Sequence, residues 1–185
     1  LAAVGAALGG RIITVDDDTP ADFTTIQAAI DDANDGDTVI VQPGTYTGPG
    51  NRDIQYKGKA ITVRSIDPND PTIVATTVID CQGTIEDRHR GFYFRGSMNP
   101  MGPDSVLAGI TITNGNSIDG GAIYCGYYAS PLIVRCNIVN SFSNRGGGIH
   151  IDDASAATID GCIIANNTAH NTSYRGEGAG IFLRG

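Results

Sequence analysis

The chain has 185 residues, enough for one domain with its own core, so no disulfide or metal staple is required. Hydrophobic residues make up 41% against 17% charged, which excludes a disordered chain; a formal charge of −8 with only 12 Lys and Arg leaves no basic face for nucleic acid. With 23 Ile and 10 Val against 5 Leu, and 18 Asp against 2 Glu, the composition is that of strands and turns and excludes a helical bundle.

Leu1–Gly10 is apolar and rich in small residues, like the end of a signal-peptide hydrophobic region, and predicts export. The alternative is an ordinary N-terminal strand or tail. Residues 1–11 are therefore set apart as a signal-like or assembly segment, 12–36 as an N-terminal strand and capping helix, and 37–185 as the repeat region. No run approaches the roughly 20 apolar residues of a membrane span. Ile12–Val15 reads as extended and is ended by Asp16–Pro20. Thr24-Thr25-Ile26-Gln27 fits a capping box, and Ile26, Ala29, Ile30 and Ala33 then recur at helical spacing before Asn34-Asp35-Gly36 stops the run. This is the one helix expected, short and with a single apolar face, suited to covering something apolar rather than standing in a bundle.

From Asp37 onward, short strand-like pieces alternate with Gly, Asn, Asp and Pro: 38–41, 60–63, 77–79, 92–94 and 110–113. A repeat emerges when 106–114 is laid over 132–140 and 158–166. Leu107, Ile133 and Ile159 align, as do Ile110, Cys136 and Cys162, then Ile112, Ile138 and Ile164, and finally Asn114, Asn140 and Asn166, always 26 residues apart. Gly121–Cys125 and Gly147–Ile151 repeat at the same interval. Ala179–Leu183 follows after 32, the extra residues falling in the polar stretch 167–178. Strands too short to bury a face alone, repeated with insertions confined to a turn, describe a solenoid of stacked coils.

Stacked coils place like residue over like at about 4.8 Å. The Ile and Cys columns are then core ladders, and Asn114, Asn140 and Asn166 are expected as a structural stack of amides at a bend, where Asn also tolerates a left-handed backbone. The four cysteines, Cys81, Cys125, Cys136 and Cys162, show no metal-ligand spacing; Cys136 and Cys162, which replace Ile110 in one column, are favoured as reduced core residues, a bond between them requiring that their side chains turn toward each other.

Phe23–Ile30, Gly36–Tyr46, the Lys59–Ser65 strand and the Gly-Gly-x-Ile and Asn-ended coils resemble the secreted bacterial right-handed parallel β-helix proteins of the pectin-lyase-like superfamily. The resemblance runs from about Ile12 to the end. It implies an all-β, right-handed parallel β-helix whose N-terminal amphipathic helix plugs the open end. It leaves activity open, because that architecture hosts lyases, hydrolases, adhesins and structural repeats alike.

Lyase or hydrolase chemistry on this architecture needs convergent acids. Calcium needs six to eight oxygens, and the period sets Asp152 and Asp153 over Gly126 and Tyr127, so no carboxylate ladder supports a calcium site in the regular coils, and no cofactor or metal is expected. Asp80, Asp119 and the Asp152-Asp153 pair are acids that nothing in the sequence aligns, and read as solvated turn residues. Glu86-Asp87-Arg88-His89-Arg90 is the densest reactive cluster: Asp87, Arg88, His89 and Arg90 are weak catalytic candidates, set against a self-paired charged loop.

Strand alternation sends Tyr93, Tyr124, His150 and Phe182 outward, giving an aromatic stripe for sugar rings or a protein partner unless the 167–178 insertion covers it. Ile181–Gly185 stops within a coil, so either the chain continues or another subunit stacks there. The expectation is thus a secreted, non-enzymatic structural or adhesive cell-surface module assembling end to end into filaments. Its partners are copies of itself, other cell-surface proteins or polysaccharide. A polysaccharide lyase or glycoside hydrolase acting on acidic glycans is the alternative.

Overall fold

The structure, a computed structural model, describes residues 10–18, 20–96, 100–170 and 177–184. Residues 1–9 of the proposed leader and 171–176, half of the 167–178 insertion, lie outside the described residues.

The chain is an all-β solenoid of parallel sheets. The widest sheet orders β1 (Ile12–Val15), β2 (Thr38–Val41), β4 (Thr62–Ser65), β7 (Val106–Ala108), β11 (Leu132–Val134) and β15 (Thr158–Asp160) side by side. A second holds β3 (Gly44–Tyr46), β5 (Thr77–Asp80), β8 (Thr111–Thr113), β12 (Asn137–Val139) and β16 (Ile163–Ala165). A third holds β6 (Phe92–Arg95), β10 (Ile123–Gly126), β14 (Ile149–Ile151) and β18 (Ile181–Leu183), and a short fourth holds β9 (Asn116–Asp119), β13 (Phe142–Arg145) and β17 (Thr168–Ala169). From β7 onward each circuit visits the first, second, fourth and third sheets in turn, so every strand pairs with its copies one coil away.

The register is the one the 26-residue period requires: Leu107, Ile133 and Ile159 pair in sequence, and so do Ile112, Ile138 and Ile164. These columns meet Ile110, Cys136, Ile123 and Ile149 in one core cluster. All four cysteines are free. Burial of β-branched side chains stacked on their own kind supplies the hydrophobic term, at about 1.5–3 kcal/mol for each fully buried Ile or Val.

The helix α1 (Ile26–Asp32) buries Ile26, Ala29 and Ile30 beside β1 and β2, at the N-terminal end of the stack. Its cap differs from the expected box. Thr25 makes no side-chain cap bond; instead the Asn51 side-chain oxygen accepts from the Ile26 N–H at 3.0 Å, and Gln27 reaches across to the Gln55 backbone. A second short helix, α2 (Pro71–Thr76), also forms, with Asp70 capping the Thr72 N–H at 2.8 Å.

The asparagine ladder is corrected as well. Asn114, Asn140 and Asn166 take left-handed φ values of 54°, 53° and 55°, but they are exposed, and among described residues the only side-chain bond of the three joins Asn114 to Asp80. Polar stacking sits one residue further on. The Gly115 N–H donates to Ser141 Oγ at 3.1 Å, and the Ser141 N–H donates to Asn167 Oδ1 at 2.9 Å.

Candidate functional site

The outward face of the third sheet carries the expected aromatic row. Tyr93, Tyr124, His150 and Phe182 occupy one register column across β6, β10, β14 and β18. Their ring centroids step by 5.1, 5.2 and 5.0 Å. All four stay out of the core cluster to which Phe92, Ile123, Cys125 and Ile149 belong, which places the row on the opposite face of the sheet. It is not an exposed stripe, however. His150 is only 1% exposed and Tyr124 8%, while Tyr93 is half-buried.

Part of the cover comes from the charged loop before β6. His89 Nδ1 lies 2.6 Å from Asp53 Oδ2, and because an ionised carboxylate only accepts, the ring donates there. The Arg90 N–H donates to the other Asp53 oxygen at 3.0 Å. Asp87 lies near His89 within the loop and near Arg52 outside it, and Arg88 reaches Asn116. Arg90 leaves the loop. Its guanidinium bonds Ser117 Oγ and lies 5.2 Å from the Tyr93 centroid and 5.3 Å from that of Tyr124. A self-paired loop therefore describes only the contact between Asp87 and His89; His89 also reaches Asp53 outside the loop, and the charge of Arg90 is spent on ring faces. Burial pulls the Arg90 guanidinium below its ordinary value, against the attraction of Asp53 and Asp119.

Two clefts share Tyr93 as a wall. One, of about 400 Å³, is lined by Asp53, Gln55, Arg90, Asp119 and Tyr124 as well as Tyr93. The other, of about 620 Å³, adds Lys57, Arg95, Tyr127 and Tyr128 and shares Gln55 with the first. Tyr127 and Tyr128 are 50% and 60% exposed and both hold a left-handed backbone, φ 55° and 64°. Such a conformation is costly for a bulky residue, by about 1–3 kcal/mol, and here it turns two phenols onto the cleft. The Arg95 guanidinium lies 4.1 Å from the Tyr127 ring centroid.

Further along the row, two acids that sequence spacing left unaligned converge on His150. Asp119 grips Arg145 through both oxygens, at 2.8 and 3.1 Å, and its Oδ1 lies 3.6 Å from His150 Nδ1. Asp152 accepts the Tyr124 hydroxyl at 2.6 Å through Oδ2, while its Oδ1 lies 3.8 Å from His150 Nε2. Burial works to raise the Asp152 carboxyl, but the Tyr124 hydroxyl and a backbone N–H outweigh it and hold it below its ordinary value. Burial first, then that same hydrogen bond, raises the Tyr124 phenol.

Asp53, Gln55, Tyr127 and Tyr128 were missed by sequence reasoning; two tyrosines after a strand, between Gly126 and Ala129, were the available signal. Asp80 joins Asn114 and lines neither cleft. Among the described residues one acidic group, Asp16, Asp17 and Asp18 after β1, has the mutual spacing of a cation site, and none of the three lines either cleft. No helix among the described residues is long and apolar enough to cross a membrane. No protein-family model, curated protein or solved structure matches the chain.

Proposed function

We propose that the chain is an extracellular, non-enzymatic module that holds a saccharide chain in the tyrosine-lined clefts and so attaches its bearer to a glycan-coated surface. The same reading takes the solenoid as a right-handed β-helix of the pectin-lyase-like kind, in keeping with the right-handed crossover that parallel strands adopt. The observation that carries it is the double cleft about Tyr93. Aromatic faces, a guanidinium and planar amide and carboxylate groups lie side by side there, which suits rings that are apolar on one face and hydroxylated at the rim.

Binding is favoured over cleavage because both carboxylates of the smaller cleft are already engaged. Asp53 accepts from His89 and the Arg90 N–H, and Asp119 is forked onto Arg145. Calorimetry over a panel of neutral and acidic oligosaccharides tests the reading. At least one class binds, and Tyr93→Ala and Tyr128→Ala each weaken it about tenfold, the equivalent of about 1.4 kcal/mol. No binding across the panel, or unchanged affinity in both variants, overturns it. Release of reducing ends or unsaturated products would instead favour the lyase or hydrolase alternative.

A second reading, coil-on-coil association, rests on the last described coil, where Ile181 and Leu183, in register with buried Ile149 and Ile151, are 42% and 65% exposed. A further coil stacked on that face, from this chain or another, buries them. Fibres in electron micrographs support association between chains, and a strictly monomeric species at high concentration removes it.

A further inference from the structure

Buried polar atoms normally find partners, yet both nitrogens of His150 are buried without a hydrogen bond, and so is Asp152 Oδ1 beside them. The imidazole lies between the rings of Tyr124, on which it stacks, and Phe182, to which it is tilted by 54°, and is flanked by carboxylates from two directions, Asp119 on β9 at 3.6 Å and Asp152 after β14 at 3.8 Å. The remaining charged and titratable groups around it, among the described residues, are Arg145 on β13, which shares Asp119, Arg184 after β18, which is 3.6 Å from Asp152 Oδ1, and the Tyr124 phenol bonded to Asp152.

A neutral imidazole has one donor, whereas the imidazolium has two. Charging His150 therefore supplies a donor for each flanking carboxylate. Contraction of each gap by less than about an ångström completes both bonds. The Asp152 side yields first, since its Oδ1 has no hydrogen bond to give up. Its Oδ2, however, holds the Tyr124 hydroxyl, and Asp119 holds Arg145. Tyr124 and Asp119 are both walls of the smaller cleft, so the two contractions act on the site from behind.

We propose that His150 is a proton-operated positioning residue for the saccharide cleft: protonation draws Asp152 and Asp119 inward, displaces Tyr124 from its stack with Arg90 and Tyr93, and weakens ligand binding. This rests on the saccharide reading for its ligand but not for its motion. Burial, opposed by Asp119 and Asp152 and aided by Arg145, holds the imidazole below its ordinary 6.5, so the ring is neutral at neutral pH and charges on acidification below that value.

The chain has no Trp, so the emission of the full-length protein comes from its seven tyrosines, Tyr124 beside its carboxylate partner among them, and the part that depends on His150 is isolated by comparison with His150 variants. Emission is followed from about pH 8 to about pH 5 for the native protein, for His150→Phe, which continues the ring stack without a titrating group, and for His150→Gln, should the phenyl ring fail to pack. The expected result is a step below pH 6.5 in the native protein that is missing from the folded variants. Affinity for whichever oligosaccharide the panel identifies falls about tenfold through the same window in the native protein only, and saturating ligand moves the step to lower pH by linkage. An emission profile unchanged by the substitutions, or an affinity flat through a His150-dependent step, overturns the proposal. A His150-dependent step in a protein that binds no saccharide at any pH strikes the saccharide reading alone and leaves the displacement of Tyr124 supported.

Discussion

Three asparagines one coil apart show how a residue type is readable while its reason is not. Asn114, Asn140 and Asn166 recur because the chain turns through a left-handed residue at each of those corners, and Asn bears that conformation better than a branched side chain. Recurrence alone could not separate a backbone requirement from an amide stack, because both repeat at the coil length. The stack that does exist, Gly115, Ser141 and Asn167, is chemically heterogeneous and leaves no repeated letter to find. The two accounts differ in a measurable way. Asn140→Gly is expected to leave the melting temperature nearly unchanged, whereas Asn140→Val costs about 1–2 kcal/mol in denaturant unfolding. A Gly variant as damaged as the Val variant would restore the amide account. Close approach matters at a neighbouring corner, where a Cβ on Gly121 would sit 2.2 Å from the Gly147 carbonyl oxygen, and there the Gly-Gly row does have a steric cause.

Elements were legible where the periodicity is local and obscure where their partners come from another coil. The apolar face of α1 is written in four residues at helical spacing, but its caps are not. Asn51 serves its N-terminus, and Lys59 Nζ donates to the carbonyls of Ile30, Asp31 and Ala33 at 2.7, 2.8 and 2.6 Å at its C-terminus. A cation on three unpaired carbonyls offsets the helix dipole where no residue of the last turn is basic. Lys59→Met, which keeps the apolar stem, is expected to lower unfolding stability by about 1–2 kcal/mol and to increase hydrogen exchange over 29–33. An unchanged exchange rate there would show that the ammonium is incidental to the helix. By contrast α2 carried its own local signal, Asp70 followed by Pro71, the usual start of a helix, overlooked because only six residues follow it before β5. The charged loop before β6 has no local signal for its partner. Asp53 and Arg90 are far apart in sequence, in the irregular early part of the chain, and meet because residues 53–54 pair with the start of β6, Ile54 bridging Phe92.

At the scale of the whole molecule, a stack in which each coil touches only its neighbours should respond to pH piecemeal rather than all at once. The two ends carry different titrating groups. At the N-terminal end, backbone N–H donors of Asn34 and Arg11 hold the Asp37 carboxyl below its ordinary 3.8, and the Thr14 N–H and hydroxyl do the same for Asp22. A carboxyl held low stabilises the fold above its unfolded value, and that stabilisation is lost as pH falls through the folded value, hence below about pH 4. His150 is the converse case of a base held low: its stabilisation is complete above 6.5 and is lost as the pH falls below that. Acidification should therefore loosen β10 and β14 before β1, β2 and α1. Hydrogen exchange followed by mass spectrometry at successive pH values reads that order directly. Asp37→Asn separates the ends at neutral pH, because an amide has one oxygen to accept where the carboxylate uses both, for Arg11 and Asn34. Protection over β1, β2 and α1 is expected to fall in this variant while that over β10 and β14 stays at its native level. A uniform loss across all four sheets would mean that the coils unfold as one cooperative block, and the separation between a structural N-terminal end and a proton-responsive cleft would fail with it.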